Sequence, residues 1–267
     1  MPIATPFRVV RRHVIVMVAC AVLAGAASAV LPLTAAADPD ALWKIVHGQC
    51  VPDQLRHHRP APCTLVSLHR GVARGHVVLK DRTGATQFLL IPTARVTGIE
   101  SPALLAPHAP NYWAAAWEAR RYVLQRAQRT LPRDALSLAI NSTQGRTQNQ
   151  LHIHVDCVRP DVRDYLAAHG AELPTQWTDR TVQFDGRRYW AMRLDAADLR
   201  DVDLFHLLAR QIPGARTDMG DWTLVVVGLA PTGFAVLAGH VDPATGDRAS
   251  GEELQDHGCA LARTLPR

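Results

Sequence analysis

Lysine is nearly missing from this 267-residue chain: Lys44 and Lys80 are the only two, so almost all of the basic charge is arginine. Aromatic residues are sparse as well, at 6%. With no arginine-rich stripe interleaved with aromatics, a nucleic-acid partner is not expected. No CxxC pair occurs, which removes the usual cysteine signature of a structural zinc site. Charge itself is absent from Val14–Leu33. A helix of that length spans roughly 30 Å, about the thickness of the hydrocarbon layer. Arg8, Arg11 and Arg12 precede the run, while Asp38 and Asp40 follow it. That asymmetry places the body of the protein outside the cytoplasm.

Residues 1–37 are therefore expected to be a retained single-pass anchor in the inner membrane. The small-residue stretch Ala35-Ala36-Ala37 keeps a cleaved signal peptide open as the rival. Residues 38–267 are long enough to bury a substantial core. The net charge of +5 suits an anionic membrane surface or an anionic ligand. Cys20 lies inside the apolar run, leaving Cys50, Cys63, Cys157 and Cys259 in a compartment that permits disulfides. Four cysteines allow three pairings. The favoured one joins Cys50 to Cys63 across a short proline-rich loop and Cys157 to Cys259.

Hydrophobic periodicity outlines the elements. Asp40–His47 reads as a short helix and Pro52–Pro62 as a loop. Val77–Lys80 and Gln87–Ile91 form a hairpin around Asp81–Gly84. Pro102–Pro110 is irregular, and Tyr112–Leu131 is a helix. Leu136–Ile140 and Leu151–Val158 are strands joined by the polar loop Asn141–Gln150. The C-terminal half offers a strand at Tyr189–Leu194, a helix at Leu204–Ile212, and strands at Trp222–Gly228 and Gly233–Val241. This order argues for an α+β fold with an antiparallel sheet. The halves 38–170 and 175–267 follow a similar plan, and His154-Val155-Asp156 has an echo in His240-Val241-Asp242. A degenerate duplication is one reading of that echo.

The chemistry concentrates in Asn141-Ser142-Thr143-Gln144-Gly145-Arg146-Thr147-Gln148-Asn149-Gln150-Leu151-His152-Ile153-His154-Val155-Asp156. A strand alternates faces, so Gln150, His152, His154 and Asp156 share one face while Leu151, Ile153 and Val155 share the other. Every polar group on such a face needs a partner or water. Two imidazoles side by side also admit a zinc site, with Asp156 or His257 as a third ligand.

The segment resembles the histidine-triad (HIT) superfamily, in which a Gly-x-Ser/Thr loop precedes histidines alternating with apolar residues. Setting Gly145-Arg146-Thr147 on that loop puts Gln150, His152 and His154 at the three signature positions. The resemblance implies that His152 is the nucleophile, with Gln150 standing where the family has histidine. A register shifted to His152, His154 and Asp156 would give that role to His154. Further blocks are Ala41–Cys50, Pro60–Cys63, Gly145–Cys157 continued by Arg159-Pro160-Asp161-Val162, and Glu252–His257. Together they resemble the bacterial CDP-diacylglycerol pyrophosphatase family from about residue 41 to the C-terminus. The resemblance implies a HIT-like hydrolase that splits CDP-diacylglycerol into CMP and phosphatidate at the inner membrane, through a nucleotidyl-histidine. No metal or cofactor is expected. His152, His154 and Gln150 are the expected catalytic residues. Asn141, Ser142, Thr147, Asn149 and Lys80 are the expected substrate contacts, and His257 is expected to be structural.

Overall fold

Short β-branched and leucine-rich runs, broken by turns, pair into one antiparallel sheet of nine strands. The computed structural model describes Met1 and residues 38–265. The apolar run Val14–Leu33, its arginines, Cys20 and Ala35–Ala37 lie outside the described residues. Among the described residues, no helix is long and apolar enough to cross a membrane.

The strands are β1 (Leu65–Ser67), β2 (His76–Lys80), β3 (Phe88–Pro92), β4 (Leu136–Ile140), β5 (Ile153–Cys157), β6 (Thr178–Phe184), β7 (Arg187–Leu194), β8 (Trp222–Gly228) and β9 (Phe234–His240). Their spatial order is β1-β2-β3-β5-β4-β8-β9-β7-β6. The helices are α1 (Ala41–Ile45), α2 (Val51–His57), α3 (Tyr112–Ala127), α4 (Pro160–His169), α5 (Leu204–Gln211) and α6 (Leu261–Thr264). The expected α+β class and the β2–β3 hairpin are present. The stretch Pro52–Pro62, expected as a loop, instead begins as α2, which continues from α1 through a π-helical turn at Val46–Cys50; Pro52 lies just past that wider turn.

Outward from the central β4–β8 pair, the order runs β5, β3, β2 on one side and β9, β7, β6 on the other. The His-Val-Asp echo does not follow that arrangement. His154 pairs with Ala139, Ala139 with Val225, and Val225 with Leu237, so these four share a face. His240 is three residues beyond Leu237 and therefore points to the opposite face.

That opposite face carries the main core. Asn111 caps α3 by accepting a bond from the Ala114 backbone N–H at 3.0 Å, and Gln128 ends the helix with a left-handed backbone at φ 53°. Between these caps, α3 buries Trp113, Trp117 and Val123 against the sheet. Trp117 meets Phe234 edge-on with ring centroids 4.9 Å apart, and Phe88 meets Tyr122 at 5.6 Å. Leu151, Ile153 and Val155 belong to this core, as their alternation predicted.

On the His154 face, a smaller core forms where Leu42, Val46, Cys50 and Val51 cover Val77, Leu89 and Ile91. The disulfide Cys50–Cys63 closes this layer. The second disulfide, Cys157–Cys259, ties the end of β5 to the C-terminal segment, so both follow the favoured pairing. That segment lies flat over the sheet. A side chain on Gly251 would meet Thr223 Oγ1 at 2.4 Å, so glycine permits the approach.

Loop-closure entropy predicts unequal contributions from the two disulfides. The bridge spanning 102 residues should contribute up to about 4.7 kcal/mol and the one spanning 13 about 3 kcal/mol. Denaturant unfolding of the Cys157→Ala/Cys259→Ala and Cys50→Ala/Cys63→Ala variants, without reductant, should rank them in that order. The reverse ranking would show that native-state strain or residual structure dominates.

Candidate active site

Strand β5 enters the site from the loop Asn141–Gln150. Its apolar side chains are fixed by the α3 core, so His154 and Asp156 must face the other way. The imidazoles of His152 and His154 come together there, edge to face, with centroids 4.9 Å apart. Both are buried, at 8% and 4% exposure.

His152 Nδ1 lies 2.7 Å from the backbone oxygen of Gln150. A carbonyl can only accept, so the Nδ1 proton is fixed and Nε2 is left with its lone pair. Burial, helped by neighbouring His154, pushes the His152 pKa down to about 4, so the ring is neutral at physiological pH. His154 is also pushed down by burial, against the pull of Glu252. Its Nδ1 receives the Gln87 side-chain amide at 2.7 Å. Its Nε2 faces Glu252 Oε2 at 3.0 Å, off the axis of a straight hydrogen bond.

A charged chain continues behind these rings. Asp156 is fully buried; its carboxylate accepts from Thr86 Oγ1 at 2.6 Å, from the Cys157 amide at 2.8 Å and from His257 Nδ1 at 2.8 Å. Burial pushes Asp156 up, and those donors oppose the shift. His257 also faces Glu252 at 3.6 Å, and the bonds to Asp156 and then Glu252 raise its pKa to about 10. Burial would raise Glu252, but His257, His154 and Asn141 together pull it down to about 2. The result is a protonated His257 held between two carboxylates.

A cleft of about 930 Å³ opens over the two histidines. Its polar end carries Asn141, Glu252, His257 and the Gly145–Gln148 loop, and its apolar wall carries Leu42, Ile45, Pro62, Leu79 and Leu89. Lys80 and Thr147 also line it, although Lys80 Nζ already donates to the carbonyls of Asp81 at 2.6 Å and Gly84 at 3.0 Å.

Other expected site residues have different employment. Gln150 turns its amide away, donating to Pro92 O at 3.0 Å and Ala94 O at 2.8 Å; it serves His152 through its main-chain oxygen. Ser142 braces the loop, donating to Arg248 O at 2.5 Å and accepting from the Gln144 and Gly145 amides. Asn149 is exposed outside the cleft lining, its backbone N–H donating to Pro39 O at 2.6 Å. Asn141 does line the cleft but donates to Glu252 Oε2 at 2.7 Å. Asp156 and His257, the third ligands considered for zinc, are spent on each other. Gln87 sits in no pattern that marks it; Glu252 and His257 lie in the Glu252–His257 block of the family resemblance, but nothing local shows that they reach His154 and Asp156 across the fold.

The description "CDP-diacylglycerol pyrophosphatase" belongs to a family model that matches residues 37–263. A curated CDP-diacylglycerol pyrophosphatase from Yersinia pestis is 45% identical over 227 residues, covering 85% of this chain and 86% of that protein.

The His257 clamp has a pH signature. A histidine raised from 6.5 to about 10 stabilises the fold fully below pH 6.5 and loses that contribution progressively as pH climbs toward 10. The stability gap between wild type and His257→Gln should thus be widest near pH 5–6.5 and close by about pH 10. Chemical denaturation across this range reads it, and a gap independent of pH would contradict the charge assignment.

Proposed function

The chain belongs to the CDP-diacylglycerol pyrophosphatase family, and we propose that its reaction runs through His152 as a covalent nucleophile. The protein hydrolyses the pyrophosphate bond of CDP-diacylglycerol to CMP and phosphatidate. The observation that carries the His152 reading is its hydrogen bond to Gln150 O, which leaves Nε2 as a free, neutral nucleophile at the cleft floor. In His154, by contrast, both ring nitrogens already face partners, Gln87 and Glu252.

In the first step the Nε2 lone pair attacks the CMP phosphorus. The phosphorus–oxygen bond to phosphatidate breaks, and phosphatidate leaves with the bridging oxygen and the electron pair. In the second step water attacks the same phosphorus, the P–N bond breaks, Nε2 regains its lone pair and a water proton is released. Phosphatidate is already a good leaving group, so the larger demand is stabilisation of charge on the transferring phosphate. With the Gln87 amide donating to Nδ1, His154 keeps its proton on Nε2; this N–H faces Glu252 without a straight hydrogen bond, and a phosphate oxygen can take it up. Thr147, Lys80 and the backbone around Gly145 are further donors on the cleft wall. Asn141 positions Glu252, and Ser142, Asn149 and the Gln150 side chain hold the loop.

The HIT-like reading of the fold rests on the Gly145–Asp156 pattern and on the strand, strand, helix, strand, strand order of each half. The same order supports a degenerate duplication in residues 175–267. The uncharged Val14–Leu33 run supports an inner-membrane anchor with the body in the periplasm. The substrate gives the membrane a further reason. Each methylene drawn out of a bilayer costs ~0.8 kcal/mol, so the acyl chains stay behind while the headgroup enters the cleft.

Hydrolysis in ¹⁸O-labelled water should put the new oxygen on CMP and none on phosphatidate. An alkaline quench with substrate labelled in its CMP moiety should trap label on the protein. Replacing His152 by alanine should remove that label and cut CMP release by roughly 10³–10⁶-fold. Isotope confined to phosphatidate would refute the covalent route, and label lost only from His154→Ala would move the nucleophile to His154. Full-length protein should stay with membranes through an alkaline wash; a mature chain beginning at Asp38 would establish a cleaved signal peptide instead.

A further inference from the structure

Helix α2 buries Val51, leaves Pro52, Asp53 and Gln54 half-buried and exposes Leu55, Arg56 and His57. Leu55 is 58% exposed, the largest exposure of any bulky hydrophobic side chain among residues 38–265. It is followed by Arg56, His57, His58 and Arg59, all exposed. Among the described residues, Arg56 and Arg59 make no ion pair or side-chain hydrogen bond, whereas the exposed Arg95 and Arg200 reach Asp40 and Asp198. The most exposed bulky apolar side chain of the domain therefore stands beside two solvent-facing guanidiniums.

The patch is continuous with the substrate cleft. Arg56 and His57 line a depression of about 370 Å³ that shares Pro62 with the 930 Å³ cleft. The apolar lining of that cleft includes Leu89, the strand partner of His154, and Pro62, which belongs to both cavities. The Cys50–Cys63 disulfide ties the two ends of the α2 segment together, so the rim is a fixed surface.

We propose that the α2 rim around Leu55, Arg56 and Arg59 docks on an anionic lipid bilayer, with Leu55 entering the headgroup layer and the arginines meeting lipid phosphates. This rests on the reading of the cleft as the site for a lipid-linked nucleotide. Charge complementarity selects the lipid: cations beside one inserted apolar side chain suit a phospholipid surface. The geometry follows from the cleft, because a headgroup reaches His152 while its acyl chains remain in the bilayer only if the apolar end of the cleft meets the membrane.

Full-length protein reconstituted in vesicles rich in phosphatidylglycerol tests the surface directly. A polarity-sensitive dye on the Leu55→Cys variant, made in a Cys20→Ala background, should shift to the blue and be quenched by doxyl-labelled lipid. The same dye on Arg210→Cys, at an exposed position on α5, should show neither effect. A blue shift without lipid quenching, as burial against a second copy would give, overturns the proposal, and so does an unshifted dye at Leu55. These readouts do not depend on turnover, so failure of the substrate assignment would leave them standing. Activity gives the second arm. Arg56→Glu/Arg59→Glu should lose about thirtyfold in kcat/KM on anionic vesicles, two surface cations at about fivefold each or more. It should keep wild-type kcat/KM on a short-chain, water-soluble CDP-diacylglycerol. Equal losses on both substrates would place the arginines in the site rather than at the membrane.

Discussion

The hydrogen bond from His152 Nδ1 to the Gln150 carbonyl decides which nitrogen of the ring can react, and the surrounding architecture keeps that bond in place. Gln150 can present its carbonyl because its side chain is pinned to Pro92 and Ala94, at the end of β3. Leu151 and Ile153, on either side of His152, are locked into the α3 core, so the imidazole cannot rotate away with the backbone. Burial of the ring holds it neutral, while Nε2 stays open to the cleft. A nucleophile of this kind needs no separate base.

Charge is kept one layer further back. Asp156, His257 and Glu252 form a compact ionic cluster whose members meet through β5, the C-terminal segment and the end of β4. Left alone, either carboxylate would be costly at this burial; with a protonated imidazole between them, both are accommodated. The Cys157–Cys259 bridge and the close approach of Gly251 to the sheet hold the C-terminal segment where Glu252 can reach His154. The same segment therefore contributes to stability and completes the site.

Much of this was legible in the chain. The alternation from Leu151 to Asp156 gave the two faces of β5 correctly, because one face had to fill a core; Gln150, outside the strand, turns its side chain away from the histidines. The hairpin at residues 77–91 and the helix starting at Tyr112 carry strong periodic patterns, and of the three pairings open to four cysteines the favoured one is present. What escaped notice depends on distance or on competition between partners. Glu252 and His257 lie about a hundred residues from β5 in sequence and reach it only through tertiary packing. Asn141 and Ser142 look like free ligand contacts until the structure reveals Glu252 and Arg248 as their partners. Helix α2 was hidden by Pro52, which argues against a helix interior; here a π-helical turn at Val46–Cys50 precedes it within one helical run. The His240 echo failed because three matching residues fix no register, and a strand three positions out presents the opposite face.

The most direct test of the central claim is the protonation state of the His152 ring, read by ¹⁵N–¹H correlation NMR of imidazole-labelled protein across pH. The account predicts a neutral ring carrying its proton on Nδ1 throughout the physiological range, titrating only near pH 4. A ring protonated on Nε2, or one that titrates near the ordinary histidine value of about 6.5, would contradict it.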